Sequence, residues 1–140
     1  ERTFNPIMTQ EIQIIECAFT ANKDYLQSLL AVGFYAIAVQ EDIQQISNQL
    51  DFSNTQTKII KLKEDDEIAI KKLYTEKDWH SSLQADYEAG KRQFYSAIRG
   101  IGGYLPTEKL LTYCQAKHLF TGVNLLAFES AYNVALALSR

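Results

Sequence analysis

The sequence predicts an all-α fold, a compact bundle of six or seven helices around a buried, Ala-rich C-terminal helix. Three observations predict it. Apolar residues recur at spacings of three and four in every segment except residues 51–63. Glycine and proline are scarce, and apart from Gly90 they fall between or at the ends of those segments, as punctuation falls between helices. The last apolar stretch, residues 123–139, interleaves Ala127, Ala131, Ala135 and Ala137 with Leu125, Leu126, Phe128, Val134, Leu136 and Leu138. Small side chains let neighbouring helices approach closely, so this helix is expected at the centre, with Ala127, Ala131 and Val134 enclosed.

Taken in order, Asn5 and Pro6 read as an N-cap and a first helical residue, and Ile12, Ile15, Ala18 and Phe19 give the first helix one core face. Asn22 caps a second helix, in which Tyr25, Leu26, Leu29 and Leu30 repeat the spacing before Gly33 supplies a stop. A third helix is expected over 34–50. Its start, Phe34 to Val39, is apolar on all sides, whereas Ile43, Ile46 and Leu50 keep one stripe, so it begins inside the core and emerges from it. Residues 51–57 form the longest loop. Over 58–63, Ile60 and Leu62 alternate with Lys61 and Lys63, the one place where a strand is conceivable. Six residues make no sheet alone, and an extended connector or early helical turn is expected there.

From Asp65 the helical pattern returns, with Asp65, Asp66 and Glu67 at the N-terminal end that the helix dipole favours for acids, and Ile70, Leu73 and Tyr74 on the inner face. After a break over 79–82, a strong helix is expected over 83–99, where Tyr87, Phe94, Tyr95 and Ile98 share a face and Glu88 precedes Lys91 and Arg92 by three and four residues. Gly100, Gly102 and Gly103 end it. Pro106 and Thr107 start the next helix, with Leu110, Leu111, Cys114 and His118 along one side and Gly122 closing it.

The 140 residues have the length of one domain, 1–140, which should bury roughly two-thirds of the surface of its unfolded chain. With 46% apolar residues the chain needs no metal or disulfide staple. A net charge of −3, without a run of basic residues, points away from nucleic acid. No stretch reads as a signal peptide or a spanning helix, because the apolar final segment carries Asn124, Glu129, Ser130 and Asn133; a cytoplasmic protein is favoured over a periplasmic or secreted one. Glu1 in place of Met, and Arg140 inside a helical pattern, make both ends read as cut. No self-similarity at a fixed period supports a solenoid.

Few motifs carry chemistry. The segment Arg99 to Tyr104 has glycines ahead of a helix, so Arg99, Gly102 and Gly103 are a weak anion-site candidate, although no strand is expected before them and a helix C-cap and linker is the favoured reading. Cys114 and His118, four apart, have the spacing for an activated thiolate or two metal ligands, too few for a closed site. Glu76 and His80 share that spacing. The acids 64–67 lack the glycine and alternating oxygens of a calcium loop. No metal or cofactor is expected. Cys17 and Cys114, nearly a hundred residues apart, are expected as free buried thiols rather than a disulfide.

The function expected from these features is a non-enzymatic interaction domain, an inhibitor, immunity-type binder or adaptor whose partner is another protein. Asp78, Trp79 and His80 form its candidate interface, since a Trp beside charge is the composition of an interface anchor. The alternative is a ligand-sensing helical domain holding a small apolar molecule among its Tyr and Phe residues. A small enzyme with an unrecognised site ranks third.

Overall fold

The computed structural model describes residues 11–139, so the expected helix start at Asn5 and Pro6 lies outside the described residues. It is α/β and overturns the all-α bundle. β1 (Gln13–Cys17) leads through α1 (Lys23–Leu30) to β2 (Ala36–Val39), and α2 (Ile43–Ser47) leads on to β3 (Lys58–Lys61). α3 (Glu64–Lys71) and α4 (Trp79–Glu88) precede β4 (Gln93–Ser96), which is followed by a 3-10 turn at Ile98–Gly100, α5 (Thr107–Ala116) and α6 (Leu125–Leu138). The four strands make one parallel sheet in the order β3-β2-β1-β4.

The physical reason for the correction is burial on both faces. A parallel strand covered on each side is apolar at every position, so it lacks the alternation that marks a half-buried strand. Ile14 belongs to the larger core cluster, whereas Ile15 and Cys17 belong to the smaller one on the opposite face. β2 is likewise buried throughout, with Ile37 and Val39 on one side and Ala36 and Ala38 on the other. The all-round apolar stretch that suggested a helix sinking into the core is this strand. The expected helix over 83–99 is two elements, since α4 ends at Glu88 and Gly90, at φ +107°, turns the chain into β4. The connector expected at 58–63 contains strand β3.

Two unequal layers flank the sheet. The larger cluster joins Ile14, Ile37, Val39 and Phe94 to Leu26, Leu29 and Leu30 of α1, Leu110 and Cys114 of α5, and Ala131 and Ala135 of α6. The smaller cluster sets Ile15, Cys17, Ala36 and Ala38 beneath Tyr104, with Tyr35, Ile60, Ile70 and Tyr95 packed against it. α6 is therefore lateral rather than central. Ala131 and Ala135 are sealed against the core, but Ala127 and Val134 are only half-buried and Leu126 is 78% exposed. Among the described residues, no helix is long and apolar enough to cross a membrane.

Candidate functional site

Successive strands from β1 to β3 step outward in one direction, and the chain then returns to place β4 on the other side of β1. The helices that follow β1 and β4, α1 and α5, both pack on the face of the larger cluster, so the carboxyl end of the sheet is left open on the side of the smaller one. A cavity of about 350 Å3 occupies that end of the sheet. Cys17, Ala18 and Phe19 reach it from the end of β1, and Gln40 and Glu41 from the end of β2. Glu67 and Lys71 enter from α3, and Ile101, Gly102 and Tyr104 from the loop after β4.

Its polar groups are organised before any ligand arrives. Lys71 Nζ lies 2.8 Å from Glu67 Oε1, one helical turn away, and over the Tyr104 ring at 5.6 Å from its centroid. The Gln40 side-chain amide donates to the other Glu67 oxygen. Burial raises the proton affinity of the Cys17 thiol, and the nearby Glu16 adds to the effect. Burial raises that of the Tyr104 hydroxyl as well, with the neighbouring Cys17 and Glu67 behind it. Both groups therefore stay protonated at neutral pH.

Behind the cavity lies a buried carboxyl that the sequence reading passed over. Glu16 sits in β1 with no exposed surface. The Thr107 hydroxyl, at the start of α5, donates to Oε1 at 2.5 Å, and the Ile98 N–H donates to Oε2 at 2.7 Å. Ser96 of β4 completes the group, its hydroxyl 2.8 Å from that of Thr107. Burial pushes the Glu16 carboxyl up to about 8; the Thr107 and Ile98 hydrogen bonds pull against that rise and the charge of Glu108 adds to it. Glu16 is thus mainly uncharged at neutral pH. It ties β1 to the loop that forms one wall of the cavity.

The anion candidate at Arg99, Gly102 and Gly103 is altered by this network. The strand whose absence weakened it is present as β4, and several of the amides in the loop are engaged within the protein. Ile98 N–H is held by Glu16 and Arg99 N–H by Glu108 Oε1 at 2.9 Å, while Gly100, Ile101 and Gly103 donate to the carbonyls of Ala97, Ile98 and Gly100. The Arg99 guanidinium donates to the Ser139 hydroxyl at 3.0 Å. The Glu16 and Glu108 carboxylates thus take the two amides at the start of the loop.

The other sequence candidates separate. α5 ends at Ala116, and His118 takes a left-handed backbone (φ +57°) on the surface, so it does not continue the helical face that buries Cys114. Cys17 and Cys114 are both buried and unbridged, in clusters on opposite faces of the sheet. Glu76 and His80 are exposed, and among the described residues no group of three His, Cys, Asp or Glu is placed to hold a metal. Asp78 precedes the first turn of α4, with Trp79 half-buried and His80 exposed. The Trp79 ring stacks edge-on with His80 and with Tyr113, at 5.8 and 6.2 Å. Together with Thr112 and Ala116 it lines an apolar groove of about 340 Å3.

The fold defines a class: a parallel α/β domain with a cavity at the carboxyl end of its sheet. No protein-family model matches the chain, and no curated protein or solved structure matches it either.

Proposed function

We propose that this chain is a small-molecule-binding α/β domain whose ligand sits in the cavity at the carboxyl end of the sheet. The observation that carries the reading is position. Open parallel sheets bind ligands outside the carboxyl ends of their strands, and this cavity lies at that end, spanning the ends of β1 and β2 and the loop after β4. Its contents agree, since a few converging polar groups, Gln40, Glu41, Glu67 and Lys71, stand beside the apolar Ala18, Phe19 and Ile101. Binding suits them better than catalysis. The Cys17 thiol and Tyr104 hydroxyl are held protonated, and neither histidine lies on the walls.

A thermal-shift screen against a metabolite panel tests this, with Gln40→Trp as the blocking variant. Gln40 is exposed, so the substitution should fill the cavity mouth while changing stability by less than about 0.5 kcal/mol. At least one metabolite should raise the melting temperature of the native protein and not that of the variant. Equal shifts in both proteins would place the ligand elsewhere.

A second reading, docking of another protein through Asp78, Trp79 and His80, is favoured by the apolar groove beside Trp79. An exposed indole edge above a Tyr113-lined groove suits one apolar side chain of a partner. Iodide should quench Trp79 fluorescence in the free protein, and a partner using this groove should restore it. Trp79 fully protected in the free protein would remove this reading.

A further inference from the structure

Resting on the reading that the cavity takes a small molecule, we infer that its ligand is a ribose-bearing compound without a phosphate chain, a nucleoside or uncharged nucleoside conjugate, with Glu41 receiving the vicinal diol.

Three independent features of the cavity point the same way. Glu41 lies two residues beyond the end of β2, the strand next to β1, where a carboxylate in an open α/β sheet meets the ribose hydroxyls of a ligand. It is exposed, and the Gln40 N–H, at 3.2 Å from Oε1, takes one of the about four acceptor positions a carboxylate has. Two adjacent hydroxyls match the remaining ones. The apolar walls at Phe19 and Ile101 supply the surface on which a flat base would lie.

The turn after β1 is not built to receive phosphate, and in the loop after β4 two amides are already taken by carboxylates. Between β1 and α1 the chain reads Ala18-Phe19-Thr20-Ala21-Asn22, without the glycines that let a backbone approach a pyrophosphate. Phe19 stacks on Tyr25 at 5.0 Å, and the Asn22 side chain takes the Tyr25 N–H at 3.0 Å, so part of the anion-binding end of α1 is already satisfied. In the loop after β4 the amides of Ile98 and Arg99 are held by Glu16 and Glu108.

Charge gives the third constraint. The charged groups on the wall are two carboxylates, Glu41 and Glu67, against one ammonium, Lys71, which Glu67 already pairs. A diphosphate would enter a negative site with no unshared cation. A ribose diol would meet acceptors it can donate to.

Titration calorimetry with adenosine, guanosine, cytidine, uridine, 2′-deoxyadenosine and adenosine diphosphate tests the inference. At least one ribonucleoside should bind the native protein. Loss of hydrogen bonds to a charged acceptor corresponds to about tenfold or more in affinity, and Glu41→Ala, at an exposed position that leaves the fold intact, should weaken ribonucleosides by that factor. If adenosine is the one bound, 2′-deoxyadenosine and the diphosphate should each bind more weakly. Diphosphate binding tighter than adenosine, unchanged binding by Glu41→Ala, or no binding by any of the four ribonucleosides would overturn it. A different metabolite blocked by Gln40→Trp would defeat the nucleoside assignment alone, whereas no metabolite blocked by that variant would defeat the cavity reading itself.

Discussion

Replacing Glu16 by Gln is expected to stabilise the protein by on the order of 4 to 5 kcal/mol at pH 8 to 9, and to change little at pH 4. The buried carboxyl holds its proton up to about 8, against 4.5 for an ordinary Glu side chain. Between those values the folded state keeps a proton that the unfolded state has released, so stability falls as pH rises, by about 1.4 kcal/mol per unit. Below the window both states are protonated, and above it neither is, so the difference is flat at both ends. Glutamine has the shape of the protonated form: its oxygen is placed to accept from the Ile98 N–H, and its nitrogen donates to Thr107 once that hydroxyl, which donates to Glu16 Oε1 in the native protein, turns to donate to Ser96. Measuring urea midpoints for both proteins from pH 4 to 9 cancels the other titrating groups. Parallel curves would mean that the carboxyl binds its proton equally well in the folded and unfolded protein, its hydrogen bonds offsetting its burial.

Gly33→Ala is expected to cost roughly 2 to 4 kcal/mol, from two sources that add. The backbone there has φ +95°, outside the range an L side chain adopts easily, and an added Cβ would lie 2.6 Å from the Gly122 carbonyl oxygen. That contact is with backbone, so no side chain can swing away. It belongs to the seam where the turn after α1 meets the segment leading to α6, which the Asn124 N–H also ties to the Val32 carbonyl at 2.8 Å. Gly90→Ala separates the two sources, because Gly90 has φ +107° and open space around it. Chemical denaturation should show Gly33→Ala to be clearly the more destabilising. Equal losses would show that the seam is loosely packed.

The helices were largely legible in the sequence and the strands were not. Asn22 does cap α1, whose Tyr25, Leu26, Leu29 and Leu30 are buried as a single stripe, and Thr107 opens α5 with Leu110, Leu111 and Cys114 inward. Those features are local, decided by three- and four-residue spacing and by cap chemistry. β1, β2 and β4 are four or five residues long and paired in parallel across wide gaps in sequence, so nothing local marks their partners. A signal was nonetheless present. The short apolar runs around Ile14, Ile37 and Phe94 are separated by helical stretches, and that alternation is the mark of βαβ units. Counting Ile12, Ile15, Ala18 and Phe19 as a helix stripe left out Ile14 and Cys17, which fill the same run. Glu16, a lone acid inside that run, was the residue to question. Glu41, Lys71 and Tyr104 gave no sequence signal, because only the sheet order brings the end of β2, α3 and the loop after β4 together.

The central claim is that the cavity at the carboxyl end of the sheet is the binding site, and amide chemical-shift mapping tests it most directly. Labelled protein is titrated with whichever compound from the metabolite panel raises its melting temperature. The account predicts that the perturbed amides include Ala18, Glu41, Lys71 and Gly102, residues far apart in sequence and joined only at that cavity. Perturbations centred on Trp79, Thr112 and Tyr113, with those four amides unmoved, would contradict it and assign the function to the groove beside α4.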